Sequence, residues 1–66
     1  MQAFATTLAS IVKHDIVRFT HNGTEYKGEI MAITMAGGLI DLDIHNGTTV
    51  QYVGNVPGNM ATLVYT

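Results

Sequence analysis

The chain has 66 residues, no cysteine, and a net charge of −2 from three Lys/Arg and five Asp/Glu residues. A single domain of this size buries only about 60% of the surface of its unfolded chain, and without cysteine it has no disulfides or thiolate metal ligands to add stability. Hydrophobic residues make up 47% of the chain and charged residues 12%, against about 25% charged in ordinary soluble domains. We therefore expect further copies of the chain to cover part of the surface.

Fixed positive charge is scarce, because the only Lys and Arg residues are Lys13, Arg18 and Lys27. One subunit therefore lacks the basic patch of tight nucleic-acid binding, although a ring of copies would repeat these cations. No apolar run approaches the roughly 18 residues that cross a membrane. The first residues also lack the basic start and apolar stretch of a signal peptide. We therefore expect no membrane partner and a cytoplasmic location.

The first predicted element is a short helix over about residues 3–12. Phe4, Leu8, Ile11 and Val12 are spaced i, i+4, i+7 and i+8, which places them on one helical stripe. The polar face of this helix has no cations to attract lipid. We therefore expect the stripe to cover the mouth of a barrel rather than to bind a membrane.

From Asp15 onward the apolar period changes from about 3.6 residues to 2, which is typical of strands. Turn residues divide this region into five predicted strands, at about residues 16–20, 24–34, 39–45, 48–53 and 60–66. The tripeptide His-Asn-Gly occurs at residues 21–23 and again at 45–47. Asn-Gly between apolar alternations predicts a β-hairpin. We therefore expect all neighbouring strands to be antiparallel.

Gly28 lies inside the second predicted strand, where glycine usually marks a bulge or a bend. Tyr26, Ile30 and Ile33 cannot share one face of a flat strand, so the strand must bend. The sequence therefore predicts a mainly β fold, in which a short N-terminal helix precedes a five-stranded, strongly bent SH3-like open barrel. We expect a single domain over residues 1–66.

Residues 17–42 resemble the first signature of the Sm-like family. Val17 and Phe19 match its apolar pair, Gly23 its turn, and residues 25–28 (Glu-Tyr-Lys-Gly) its Glu-Tyr-(Arg/Lys)-Gly motif. The resemblance implies the same barrel and a homo-oligomeric ring of roughly five to seven subunits, closed by the fourth barrel strand of one subunit and the fifth of the next.

This ring arrangement predicts a subunit interface on two strands that are nearly free of charge. Its expected residues are Val50, Tyr52, Leu63, Val64 and Tyr65. As unpaired edges these strands would be prone to aggregate, and a closed ring would pair every edge.

The resemblance also implies a uridine pocket at the ring pore, where the family uses an Asn and an Arg. Gly38 replaces that Asn and Val53 replaces that Arg, which leaves Gly54 and Asn55 as candidate RNA contacts. We therefore expect a non-enzymatic ring that associates with single-stranded RNA through weak or altered base recognition, without cofactor or metal. The alternative is a structural or protein-interaction ring that does not bind RNA.

Candidates for catalysis or metal binding are few. Asp41 and Asp43 share one face of a strand and can bind a cation or act as an acid/base pair, but the solvated face of an amphipathic strand is the better explanation of both. His14, His21 and His45 show no metal-ligand spacing. No nucleophile motif is present, so an enzyme with a pore active site is the least favoured class.

Overall fold

The computed structural model describes residues 2–65, and most of them belong to one antiparallel sheet. The elements are β1 (Ala3–Thr7), a 3-10 helix (Leu8–Ser10), β2 (Ile16–His21), β3 (Thr24–Ala36), β4 (Leu39–Asn46), β5 (Thr49–Pro57) and β6 (Ala61–Tyr65). The strand order is β1-β6-β2-β3-β4-β5. The predictions of a mainly β fold and of antiparallel neighbours are confirmed.

The five predicted strands correspond to β2 to β6. β5 continues to Pro57, beyond its predicted end at residue 53, because Val56 and Pro57, in the predicted loop at residues 54–59, pair with β4. Thr66, the last residue of the fifth predicted strand, lies outside the described residues. Within residues 2–65, no helix is long and apolar enough to cross a membrane.

The prediction of an N-terminal helix over residues 3–12 is wrong. Ala3–Thr7 forms an edge strand that pairs with β6 along its whole length, and Leu8–Ser10 forms only one 3-10 turn. Two adjacent β-branched threonines end β1, and pairing with an available sheet edge outweighs a weak helical pattern. Leu8 and Ile11 are still buried, so half of the predicted stripe covers the core.

The two His-Asn-Gly tripeptides form different turns. In the first hairpin Asn22 and Gly23 are the two turn residues, with φ angles of 53° and 78°, which is the pattern of a type I′ turn. In the second hairpin Asn46 still pairs within the ladder, so Gly47, with a φ of 67°, takes the first turn position. Glycine at that position is typical of a type II′ turn. Both predicted hairpins are confirmed.

The long strand β3 bends at Gly28. Its φ is 144°, and a Cβ atom there would collide with the carbonyl oxygen of His45 and lie 2.9 Å from Cγ2 of Ile44. A bulge follows between Ile30 and Ala32, and bulges increase strand bending. The bend lets β3 serve both halves of the curled sheet, as the alternation of its apolar residues predicted.

The curled sheet encloses one hydrophobic core, to which strands β2 to β6 and the segment after β1 contribute. Its buried residues are Leu8, Ile11, Val17, Phe19, Ile30, Ile40, Leu42, Ile44, Val53, Val56 and Val64. Thr62 is the buried polar residue beside them, and its hydroxyl donates to the carbonyl oxygen of Arg18 at 3.2 Å. The result is a small, barrel-like sheet that stays open between β1 and β5.

Strand β6 lies inside the sheet, with β1 on one side and β2 on the other. The expectation that residues 61–65 form an edge strand is therefore wrong. The reason is that the N-terminal segment, expected to be helical, supplies the missing neighbour. The two edges of the described sheet are β1 and β5.

Candidate functional site

Strand β5 presents the most exposed apolar edge of the molecule. Val50 is 59% exposed and Tyr52 66%, and residues 49–57 contain no charged side chain. In the described part of the chain, β4 is the only strand that pairs with β5. Its outer backbone groups are therefore available to another strand, and it lacks the charges that usually protect such an edge.

Beside Tyr52 the outer surface of the sheet carries two carboxylates. Asp43 pairs directly with Tyr52 across β4 and β5, and Asp41 follows on the same face of β4, half-buried like Asp43. These side chains, together with Thr34, line a depression of only about 70 Å³. This volume is far below the roughly 300 Å³ at which ligand pockets begin, so the depression does not qualify as a small-molecule site.

The ring of Tyr52 lies over the backbone of Gly54. A Cβ atom at residue 54 would lie 2.6 Å from Oη of Tyr52, so a larger residue there would displace the ring of Tyr52. Partial desolvation raises the pKa of Tyr52, and the charge of Asp41, a hydrogen bond to Asp41 and the charge of Asp43 raise it further. The phenol, like that of any tyrosine, is protonated at neutral pH and can donate a hydrogen bond.

Asp41 also holds the irregular part of β5 in place. Asn55 has a φ of 58°, and its backbone N–H donates to Oδ1 of Asp41 at 3.1 Å. The ladder shifts here between Ile40 and Leu42, so the bulge and its carboxylate acceptor lie opposite each other. The sequence predicted only that Asp41 lies on the solvent-exposed face of its strand. The only sequence signal for this contact was the Gly-Asn pair at residues 54 and 55. That pair tolerates positive φ, but it does not reveal which residue of β4 lies opposite.

The two candidate RNA contacts, Gly54 and Asn55, are thus adjacent in β5 and lie next to Asp41. A carboxylate within hydrogen-bond distance of this backbone repels phosphate. Gly54 has no side chain, and its backbone lies beneath Tyr52. RNA contact at these two positions stays a prediction.

The structure separates the expected interface residues into two groups. Val50 and Tyr52 lie on the β5 edge, whereas residues 63–65 lie in β6, which β2, β3 and β4 separate from β5. Val64 is only 2% exposed and belongs to the core of its own subunit, while Leu63 is exposed and Tyr65 half-buried. Of the five expected interface residues, Val50 and Tyr52 are therefore the two that lie on an edge strand of the described sheet.

The histidines do not form a metal site. Nδ1 of His14 lies 2.8 Å from Oε2 of Glu29, and the ring of His21 contacts the amide of Asn22. Across residues 2–65 no group of three or more His, Cys, Asp or Glu side chains is arranged to hold a metal ion.

Comparison of the chain with protein-family models, with curated proteins and with solved structures gives no match.

Proposed function

We propose that the chain is a non-enzymatic protein of the Sm-like type, with an SH3-like barrel, that assembles with copies of itself through its sheet edges. The observation that carries the proposal is the free, uncharged strand β5 with exposed Val50 and Tyr52. Pairing with a second copy would satisfy the outer backbone groups of β5 and cover both side chains.

The best partner for β5 is strand β1 of another copy. β1 is the opposite edge of the sheet and also carries no charge, and its Phe4 is 49% exposed. An edge joined to the opposite edge of the next copy makes a head-to-tail contact, which closes into a ring if the rotation per subunit permits. β1 thereby takes the role that the sequence assigned to residues 61–65, since β6 already has two neighbours.

Three properties place assembly ahead of RNA association. Asp41 lies beside the candidate RNA contacts Gly54 and Asn55, the net charge is −2, and neither position 38 nor position 53 supplies the Asn or Arg of the family pocket. Phosphate binding requires clustered cations, and β5 has none. We therefore favour the structural ring over the RNA-associated ring.

The test is the mass of the native assembly with and without a lysine on the β5 edge. Val50→Lys places a cation on that edge, so we expect the oligomer to dissociate to monomers at micromolar concentration, as measured by native mass spectrometry. Val12→Lys is the matched control, because Val12 is equally exposed at 62% but lies in the loop before β2. It should keep the wild-type mass.

A monomeric wild-type protein at micromolar concentration would disprove the proposal. Equal dissociation of both lysine variants would show that the interface lies elsewhere. Oligouridine binding can be measured in the same samples by fluorescence anisotropy over a salt series. Tight, selective binding at physiological salt would restore the RNA-associated ring as the better function.

A further inference from the structure

A second surface feature is lined by the inner strands of the sheet. It is an open groove of about 310 Å³ on the side of the sheet where β2, β3 and β6 meet, and we name it the Arg18–Lys27 groove. Its lining residues are Ile16, Val17, Arg18, Lys27, Gly28, Asn46 and Tyr65. Its volume lies at the lower end of the range for small-molecule sites, about 300–1,000 Å³.

The polar side chains of the groove are cations or hydrogen-bond donors. Arg18 and Lys27 are two of the three fixed cations of the chain, and the Asn46 amide and Tyr65 hydroxyl lie beside them. Within residues 2–65 no carboxylate lines the groove. Exposed Ile16 and half-buried Tyr65 add an apolar wall, so one side of the groove suits an anion and the other a flat apolar group.

Arg18 and Lys27 are directly opposite each other across β2 and β3. Like charges in directly opposed positions destabilise a sheet. Glu25 offsets this in part, because its Oε2 accepts from Nε and Nη2 of Arg18 at 3.0 and 2.9 Å. The hydrogen bond to Glu25, followed by that to Tyr65, raises the pKa of Arg18. These two hydrogen bonds hold the guanidinium of Arg18 in position and leave further N–H groups available.

Lys27 is the group that still lacks a partner. Within residues 2–65 its ammonium makes no ion pair, and the side-chain amide of Asn46 makes no hydrogen bond. The other carboxylate on this face, Glu29, lies 2.8 Å from Nδ1 of His14 and does not line the groove. An anion between Lys27 and Arg18 would relieve their repulsion and also accept from Asn46.

We propose that the Arg18–Lys27 groove binds a small organic oxyanion, a carboxylate or phosphate monoester on a flat apolar group that contacts Tyr65 and Ile16. The groove residues lie in β2, β3, β4 and β6, none of which is an edge strand of the described sheet, so binding can be measured in the monomeric Val50→Lys variant. The proposal therefore does not depend on the assembly, and Val50→Lys should leave ligand binding unchanged.

The test is an NMR titration of the full chain with benzoate, with phenyl phosphate and with the neutral analogue benzyl alcohol. We expect saturable shifts of the amide signals of Ile16, Lys27 and Asn46 with at least one of the anions. The anion that binds more tightly distinguishes a carboxylate from a phosphate ligand. Lys27→Met should weaken binding about fivefold, the factor that corresponds to a strong exposed charge contact.

Lys13→Met is the matched control, because it removes the same charge outside the groove and should bind as the wild type does. Asn46→Ala keeps all charges and removes only the amide, so weaker binding in that variant would support the groove independently of net charge. The proposal is overturned if neither anion gives saturable shifts there, if benzyl alcohol binds as tightly as the anions, or if both Lys→Met variants weaken binding equally.

Discussion

At position 28 the backbone conformation requires glycine for two independent reasons. Its φ of 144° lies in a region that L side chains rarely adopt, and a Cβ atom would collide with the carbonyl of His45. Gly37 also has a positive φ, 60°, but nothing lies within 4 Å of a Cβ there. Substitutions at these two positions therefore distinguish the free-energy cost of backbone strain alone from the cost of strain together with a collision.

We expect Gly28→Ala to lower the free energy of unfolding by about 3 kcal/mol or more, since strain and collision act together. Gly37→Ala should lower it by only about 1–2 kcal/mol, the cost of the left-handed conformation alone. Urea denaturation of both variants checks this difference. Equal effects would mean that β3 does not bend against β4 at residue 28.

The contact between Tyr52 and Asp41 gives a second prediction about individual residues. Desolvation is the largest cause of the raised pKa of Tyr52, and the charge of Asp41 is the second. Removing that charge should therefore lower the pKa of Tyr52. We expect Asp41→Asn to make Tyr52 ionise at lower pH in an ultraviolet-detected titration, with Tyr52→Phe identifying its signal. Glu29→Gln, which removes a charge elsewhere, should leave the titration unchanged. An unaltered curve in Asp41→Asn would contradict the contact.

Among the elements, the N-terminal segment departs most from its prediction. In a helix Phe4 and Leu8 would occupy one buried stripe, whereas in the structure Phe4 is half exposed on an edge strand and Leu8 is fully buried. The backbone N–H of Leu8 donates to the carbonyl of Met60 at 2.9 Å. This bond fixes the point at which the segment turns from the sheet edge towards the core.

The observed edge strand and the predicted helix lead to different expected effects of alanine substitution at Phe4 and Leu8. We expect Leu8→Ala to cost about 2–4 kcal/mol of unfolding free energy because it opens a cavity in the core. Phe4→Ala should cost less than about 1 kcal/mol under monomeric conditions, because half of its side chain is already in water. Thermal unfolding of both variants in the Val50→Lys background measures this. Comparable losses would favour the helical stripe instead.

For the whole molecule, the two uncharged edges lie at opposite ends of one sheet, so complementation can test their pairing. Phe4→Lys blocks the β1 edge and Val50→Lys blocks the β5 edge, and we expect each variant alone to be monomeric. A mixture of the two variants still contains one intact β5 edge and one intact β1 edge. It should form heterodimers of Phe4→Lys with Val50→Lys, which native mass spectrometry detects. If Phe4→Lys alone still assembles, two β5 edges pair with each other and β1 takes no part.

Local patterns in the sequence determined the sheet from residue 16 onward. An apolar period of two residues, Asn-Gly at both hairpins and glycine inside β3 are short-range signals, because alternation, positive φ and missing side chains depend only on neighbours along the chain. The same signals predicted that β3 bends, and the structure confirms the bend at Gly28.

Only the tertiary structure decided what lies beside each strand. Residues 3–7 became a strand because the edge of β6 was there to pair with, which no periodicity within those residues reveals. The ladder register made the second His-Asn-Gly turn differ from the first. It also placed Asp41 opposite Asn55, 14 residues away along the chain. These features depend on contacts between distant segments, and the free edges β1 and β5 follow from them.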